Sequence, residues 1–167
     1  TLRDFTRNEF CDWYLEMVKS RFGPDTDADT RLAAQRSLAF VLGNILRLLH
    51  PIIPFVTEAI WHHLNEVLPA RGMPGAKQET ATDSIMIAPW PVPNADLRDQ
   101  DAETEMKRFQ DIVRSVRNIR KKLKLPEREK LDAHVKVPDK ATADEVSSHI
   151  PLLQRLALVG EVTVGVE

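Results

Sequence analysis

The sequence predicts a mainly α-helical protein, in which a helical bundle is followed by a small β-α-β subdomain of α+β type. Long segments with apolar residues at helical spacing fill most of the chain up to residue 125. Beyond Pro126 two short runs alternate apolar and polar residues, as strands do. We therefore place one domain at residues 1–125, partial at its N-terminus, and a second at residues 126–167, truncated because two strands make a marginal sheet.

Three helices are expected at the start of the bundle, at residues 2–22, 31–49 and 54–68. The first has so wide an apolar arc, including Cys11, that burial from more than one side is expected. Arg7 falls in the same arc and needs a partner for its charge. Thr30 is the expected N-cap of the second helix.

A connection and a strap come next. Residues 69–83 are rich in glycine, proline and small polar residues, and we interpret them as an exposed connection. Residues 84–93 contain three prolines and are expected to be extended, strapping an apolar face.

A long basic helix is expected from Asp96 to Lys124, ended by Pro126. Residues 106–130 hold ten Lys and Arg against three Asp and Glu, a net charge of +7 in a chain of net charge −2. The rest of the chain therefore carries about −9. Such a concentration of positive charge indicates a polyanionic partner, nucleic acid first, although a solvated face that merely happens to be basic is an equal alternative.

Helical geometry separates the side chains of this segment. Apolar residues share one arc of about 120°, namely Phe109, Ile112, Val113, Val116, Ile119 and Leu123. A neighbouring arc of about 100° holds cations, from which we select Arg114, Arg117, Lys121 and Lys124 as phosphate contacts. Arg120 falls inside the apolar arc. It is either paired with a buried carboxylate, which we favour, or extends its head past the edge of the contact.

The expected subdomain has a strand at residues 131–137, a helix at 141–156 and a second strand at 161–166. This order suggests a small sheet with one covering helix.

Catalytic and metal-binding signals are weak. His62 and His63 are adjacent and point about 100° apart on a helix, so they do not chelate one metal. His50 is expected to be a packed histidine, hydrogen-bonded near a helix end, and Cys11 an inert core thiol. We predict no catalytic, cofactor-binding or metal-binding residues.

The composition limits the classes of protein to which the chain can belong. A hydrophobic content of 43% supports a packed core, and one cysteine excludes an intrachain disulfide. No run approaches 18 apolar residues, so neither a membrane span nor a signal peptide is expected. The chain starts without methionine and reads as part of a longer, cytoplasmic protein.

Four segments in order resemble the anticodon-binding region of class I aminoacyl-tRNA synthetases. LRLLHPIIPFVTEAIW at Leu46–Trp61 is similar to the central signature of that helical bundle, and His50 before the first proline is similar to the valyl branch. NEFCDWYLEMVK at Asn8–Lys19, SIMIAPWP at Ser84–Pro91 and IVRSVRNIRKKLKL at Ile112–Leu125 also resemble that branch.

The resemblance implies a parent enzyme that activates valine with ATP and esterifies it to tRNA(Val). Its catalytic and editing domains would lie upstream, so this fragment would be non-catalytic, would hold no cofactor and would grip the anticodon arm of tRNA(Val). No membrane partner is implied. The alternatives are the anticodon-binding domain of an isoleucyl enzyme and a helical protein-interaction module that docks an acidic partner. A small enzyme is disfavoured.

Overall fold

The structure is a computed structural model that describes residues 1–73, 79–126 and 129–166. It is mainly helical with a small β subdomain, as predicted. Its contacts form two compact units, residues 1–93 and 94–167. The division differs from the predicted boundary at 125/126, because the long basic helix packs against the last helix of the chain, Ile150–Ala157.

Helix α1 occupies residues 2–22 and changes geometry along its length. An α-helical turn at Leu2–Asp4 leads into a π-helical segment at Phe5–Tyr14, an α-helical turn at Leu15–Val18 and a 3₁₀ turn at Lys19–Phe22. A π-helix has more residues per turn than an α-helix, so an arc computed at α-helical spacing does not hold. Phe10, Trp13 and Val18 are buried, whereas Arg7 and Cys11 are exposed, and the prediction of a core thiol was wrong.

Helix α2 spans Ala28–Leu49 and helix α3 spans Pro54–Val67. The N-cap of α2 is Asp27, whose Oδ1 accepts the backbone N–H of Thr30 at 2.8 Å. Thr30 therefore lies inside the helix and not at the predicted cap, because an aspartate three residues earlier supplies the better acceptor. Helix α3 begins at Pro54, whose missing N–H needs no partner in the first turn.

His50 caps the C-terminal end of α2, as a packed and hydrogen-bonded histidine should. Its Nδ1 lies 2.8 Å from Oγ1 of Thr57, a residue that is only 1% exposed. Thr57 Oγ1 also donates to the carbonyl oxygens at the start of α3. The prediction for His50 is confirmed.

The strap covers the apolar core of the first unit. Leu46, Trp61 and Ile85 form a buried cluster against which further apolar side chains pack. Residues Ile85–Ile87 form one 3₁₀ turn within the strap, and Pro89 O accepts a hydrogen bond from Arg47 Nη1 at 2.9 Å. The expectation that residues 84–93 cover an apolar face is confirmed, with one turn in place of a fully extended chain.

The predicted exposed connection is partly structured. Strand β1, Ala70–Arg71, pairs antiparallel with β2, Glu79–Thr80, so that Ala70 faces Thr80 in the register. Arg71 is 5% exposed, because its guanidinium stacks on the core Trp61, and the expectation of an exposed connection was wrong there. Residues 74–78 of the connection lie outside the described residues.

Helix α2 is long and apolar enough, by length and composition alone, to cross a membrane. The expectation from the sequence considered only unbroken apolar runs, and α2 is interrupted by Arg36 and Arg47. Core helices pass the same test. Ala34, Ala39, Ile45 and Leu46 of this helix are buried within the unit.

The second unit begins with a 3₁₀ turn at Ala95–Leu97, followed by helix α4 at Gln100–Lys122. Its other elements are β3, Leu131–Val137; α5, Lys140–Ser148; α6, Ile150–Ala157; and β4, Val159–Val166. The strands pair in parallel, as the β-α-β order requires. The single helix expected at residues 141–156 is broken at His149, because Pro151 follows and starts a new helix.

Helices α4, α5 and α6 and the sheet enclose the core of the second unit. Val113 is 0% and Leu153 2% exposed at its centre. Other buried members are Phe109, Val137, Val146, Leu156, Ala157, Val159 and Val162. One face of the two-stranded sheet is thus covered by helix, which gives so small a sheet its stability.

Candidate nucleic-acid interface

The charged residues at the two ends of α4 are arranged favourably for its helix dipole, with an aspartate at the N-terminal end and cations at the C-terminal end. Asp99 caps its N-terminus, where its Oδ1 accepts the N–H groups of Asp101 and Ala102 at 3.1 and 2.9 Å. The last turn carries Arg120, Lys121 and Lys122. Cations near the C-terminal carbonyls of a helix are stabilised by its partial negative charge. The basic end of α4 is therefore compatible with a stable helix.

The buried side of α4 is narrower than predicted. Phe109 and Val113 lie in the core, whereas Ile119 and Leu123 are 55% and 63% exposed. Leu123 follows the end of the helix, and Ile119 lies at the edge of the buried side. The end of α4 therefore presents both apolar and cationic side chains to solvent.

Arg120 is a structural residue. It is 8% exposed, and it donates from Nη1 to Leu158 O at 3.1 Å and from Nη2 to Pro126 O at 2.7 Å. Its predicted burial is confirmed, but both of these acceptors are backbone carbonyls and not the favoured carboxylate. Leu158 O lies at the C-terminal end of α6, where carbonyls have no partner within the helix, and the guanidinium supplies that partner.

Arg117 also holds the fold. Its Nε and Nη2 donate to Leu156 O at 3.0 and 2.8 Å, near the C-terminal end of α6. The residue was predicted to contact phosphate from its place on the basic arc. The structure directs two of its donors to the protein itself, so its replacement affects stability as well as any ligand.

Arg114 is engaged along its own helix. Nη1 donates to Asp111 Oδ1 at 3.2 Å and Nη2 to Gln110 Oε1 at 3.1 Å, while the side chain remains 47% exposed. An exposed pair of this kind contributes little stability, at most about 1 kcal/mol. Arg114 can therefore exchange these partners for a phosphate at small cost.

Lys121 and Lys124 are exposed, and among the described residues neither side chain has an ion-pair partner. Lys124 lies beyond the end of α4 in a left-handed conformation with φ 53°, off the predicted arc. Its N–H bonds to Lys121 O at 3.2 Å, and the next N–H, of Leu125, bonds to Arg120 O at 3.1 Å. This Schellman motif places the two lysines in one turn.

We expect Lys124→Gly to raise the free energy of unfolding of the second unit by about 1 kcal/mol, because a left-handed conformation costs a Cβ-bearing residue about that much. Lys122→Gly, inside the helix, is the matched control and should lower stability by up to about 1 kcal/mol. Amide hydrogen exchange of β4, which belongs to the second unit, measures both. If Lys124→Gly and Lys122→Gly lowered the free energy of unfolding equally, the assignment of a left-handed residue at Lys124 would be wrong.

Lys122 was not among the residues selected from the sequence, yet it is exposed beside Lys121. Its position on the helix, rotated away from the basic arc, excluded it. The sequence contains a signal for Lys122, namely the run of cations from Arg120 to Lys124. Residues at the last turn of a helix face solvent in several directions, so a cation off the basic arc is exposed there as well. We define the lysine end of α4 as Lys121, Lys122 and Lys124.

The sequence of this chain is similar to those of valine–tRNA ligases. The valine–tRNA ligase of Bacillus cereus is 37% identical over 98% of this chain and 17% of its own length. That of Latilactobacillus sakei is 42% identical over 83% of this chain and 14% of its own length, and that of Geobacillus stearothermophilus is 33% identical over 98% and 17%. The chain thus spans less than a fifth of the relatives' length.

The family model of the anticodon-binding domain of tRNA ligase matches residues 1–136, from α1 through the lysine end of α4 and most of β3. The match covers about four fifths of the chain and includes the basic helix α4. The chain therefore belongs to the family of anticodon-binding domains of tRNA ligases.

Proposed function

We propose that this chain binds the anticodon arm of tRNA(Val) as part of a valine–tRNA ligase. In that enzyme, a catalytic domain elsewhere in the parent chain would activate valine with ATP and esterify it to the tRNA. The chain described here would hold the RNA and perform no catalytic step. Membership of the anticodon-binding family and the similarity to valine–tRNA ligases support this proposal.

The lysine end of α4 is the single observation that carries the RNA contact. Its cations are exposed, two of them belong to one turn, and the fold beneath them is fixed by Arg117 and Arg120. Lysines attract phosphates as point charges, which positions an RNA without reading its sequence. We assign Lys121 and Lys124 to phosphate contacts, joined by Arg114 and in part by Arg117.

An exposed apolar segment before and within α3 supports a second part of the proposal. Ile52 is 74% and Phe55 90% exposed, and Ile53, Val56 and Ile60 are exposed as well. A contiguous apolar surface of this kind marks a protein contact. We assign it to packing against other domains of the parent enzyme, which leaves the lysine end for RNA.

Replacing Lys121 with alanine should weaken binding of tRNA(Val) several-fold and lower the slope of log K against log salt by about 1, because one phosphate contact is lost. Lys140→Ala, which removes an exposed lysine at the start of α5, is the matched control and should leave the slope unchanged. Fluorescence anisotropy with labelled tRNA at four salt concentrations measures both, and circular dichroism verifies folding.

The identity of the tRNA is tested in the same titration. Valine tRNA, an anticodon-altered version and isoleucine tRNA are compared at one salt concentration. Tighter binding of isoleucine tRNA would favour an isoleucyl enzyme. Binding of an acidic protein with no response to tRNA would favour a protein-interaction module. An unchanged slope in folded Lys121→Ala would remove Lys121 from the interface.

A further inference from the structure

A groove with a volume of about 600 Å³ runs between α4 and β3 in the second unit. Its wall on β3 consists of three consecutive residues, His134, Val135 and Lys136. Successive side chains of a strand point to opposite faces of the sheet, so a cavity that touches three in a row lies along the edge of the strand. The groove therefore follows the edge of β3 that faces away from β4.

This edge of β3 is open in the described part of the chain. The sheet consists of β3 and β4 alone, and among the described residues no backbone group of residues 131–137 bonds to the backbone outside that pair. In a strand with one neighbour, alternate N–H and C=O groups point away from the sheet. The turn before β3 is closed by a bond from Glu129 N–H to Pro126 O at 3.1 Å, about 16 Å along an extended chain from His134. The edge beside the groove thus offers backbone donors and acceptors to a third strand.

The opposite wall of the groove is an apolar stripe of α4. Ile112, Val116 and Ile119 are three or four residues apart and line the groove, and Ile119 is 55% exposed. The lining extends from Thr104 to Ile119, about 22 Å along the helix, which equals six or seven residues of a strand. Strand β3 itself has seven residues. The groove therefore has the length, the apolar wall and the hydrogen-bonding wall that an extended segment needs.

We propose that an extended segment of the parent enzyme, from outside residues 1–167, binds in this groove as a third strand beside β3. Its backbone pairs with the outward N–H and C=O groups of β3, and its alternate side chains are apolar and pack against Ile112 and Val116. The inference depends on the part of the proposed function that makes this chain a portion of a longer ligase. The chain spans 17% of the Bacillus cereus relative, so most of such a parent lies outside it.

A segment of the same polypeptide fits the groove better than a second copy of the chain. A sheet of two strands is marginal and an open edge promotes aggregation, so the edge needs an occupant that is always present. A tethered segment meets this need, because its effective concentration is in the millimolar range. A second copy paired edge to edge would bring its own α4 to the same side of the sheet. Two helices would then lie over strands about 4.8 Å apart, whereas packed helix axes need about 8–10 Å.

Thiol labelling of Ser115→Cys tests whether the groove is filled. Ser115 is exposed and lines the groove, and Cys11→Ser removes the other thiol of the chain. Asn118→Cys, at an exposed position of α4 outside the groove lining, is the matched control. Both variants are made in this chain and in the full-length parent, and labelling by iodoacetamide is followed by peptide mass. We expect Ser115→Cys to react at least about tenfold more slowly in the parent, and Asn118→Cys to keep its rate within about twofold.

Amide hydrogen exchange of residues 131–137 separates strand addition from burial under any other surface, and it needs no substitution. In this chain about half of these amides bond to β4, so about twice as many should be protected in the parent. Protection of Ser115→Cys without slower exchange of β3 would overturn the proposal, because a neighbouring domain would then cover the groove without pairing.

Two other outcomes would also overturn it. Equal labelling of Ser115→Cys in the chain and in the parent would show that the groove stays open. A dimer of the isolated chain in which this thiol is already protected would show that a second copy fills it. Neither the labelling nor the exchange measurement contains RNA, so a failure here leaves the proposed tRNA contact standing, and a failure to bind tRNA leaves the third strand standing.

Discussion

Arg120→Met is expected to lower the free energy of unfolding of the second unit by about 3 kcal/mol. The guanidinium joins the end of α4 to Leu158 O at the turn into β4 and to Pro126 O. Methionine keeps the apolar stem but leaves both carbonyls without that donor in a site where the side chain is 8% exposed. The loss thus combines two hydrogen bonds with the desolvation of Leu158 O, whereas Pro126 O keeps its hydrogen bond from the backbone N–H of Glu129 at 3.1 Å.

The measurement needs a probe that belongs to the second unit. Residues 94–167 contain no tryptophan or tyrosine, so amide hydrogen exchange of β4 is the suitable readout. Lys122→Met, an exposed change in the same turn of α4, is the matched control and should stay within about 0.5 kcal/mol of wild type. Arg120→Lys keeps one charged donor and should fall between the two. A loss below about 0.5 kcal/mol in Arg120→Met would mean that water satisfies these carbonyls.

Helix α4 shows how far the sequence predicts a candidate site. Its amphipathic pattern located the helix to within four residues at its start and two at its end, and the charge excess located the basic surface. Periodicity also marked Arg120 as buried. It did not predict the acceptors, because backbone carbonyls from residues 126 and 158 carry no signal in the sequence.

The difference between Arg117 and Lys121 was likewise beyond the sequence. Both lie on the same basic arc, and one is directed to Leu156 O while the other is exposed. The position of the end of α6 decides this, and only the tertiary fold supplies it. Family membership was predicted, since it depends on local motifs. The roles of individual cations depend on packing.

Two further differences between the predictions and the structure, at Cys11 and at Arg71, have distinct physical origins. Cys11 was assigned to the core at α-helical spacing, whereas the chain there is π-helical and turns the thiol outward. Arg71 stands in a segment whose composition is typical of an exposed loop. A short hairpin and the face of Trp61 bury it instead, an arrangement that no periodicity reports.

Trp61→Ala is expected to lower the free energy of unfolding of the first unit by about 4 kcal/mol, the typical cost of removing a large buried aromatic side chain. Trp61 is 3% exposed and packs in one cluster with Leu46 and Ile85. Its Nε1 donates to Thr82 O at 2.9 Å, and its ring supports the guanidinium of Arg71. Alanine removes the packing, the hydrogen bond and the support together.

Two variants separate these contributions. Trp61→Phe keeps most of the packing and should cost about 1.5 kcal/mol, since Thr82 O retains its hydrogen bond from Asn65 Nδ2 at 2.9 Å. Trp90→Ala, at a side chain that is 59% exposed, should cost less than about 1 kcal/mol. Urea unfolding followed by circular dichroism compares all three. If Trp61→Ala and Trp90→Ala lowered the free energy of unfolding equally, the exposed strap would stabilise the first unit as much as the buried core between α2 and α3. That result would contradict the prediction.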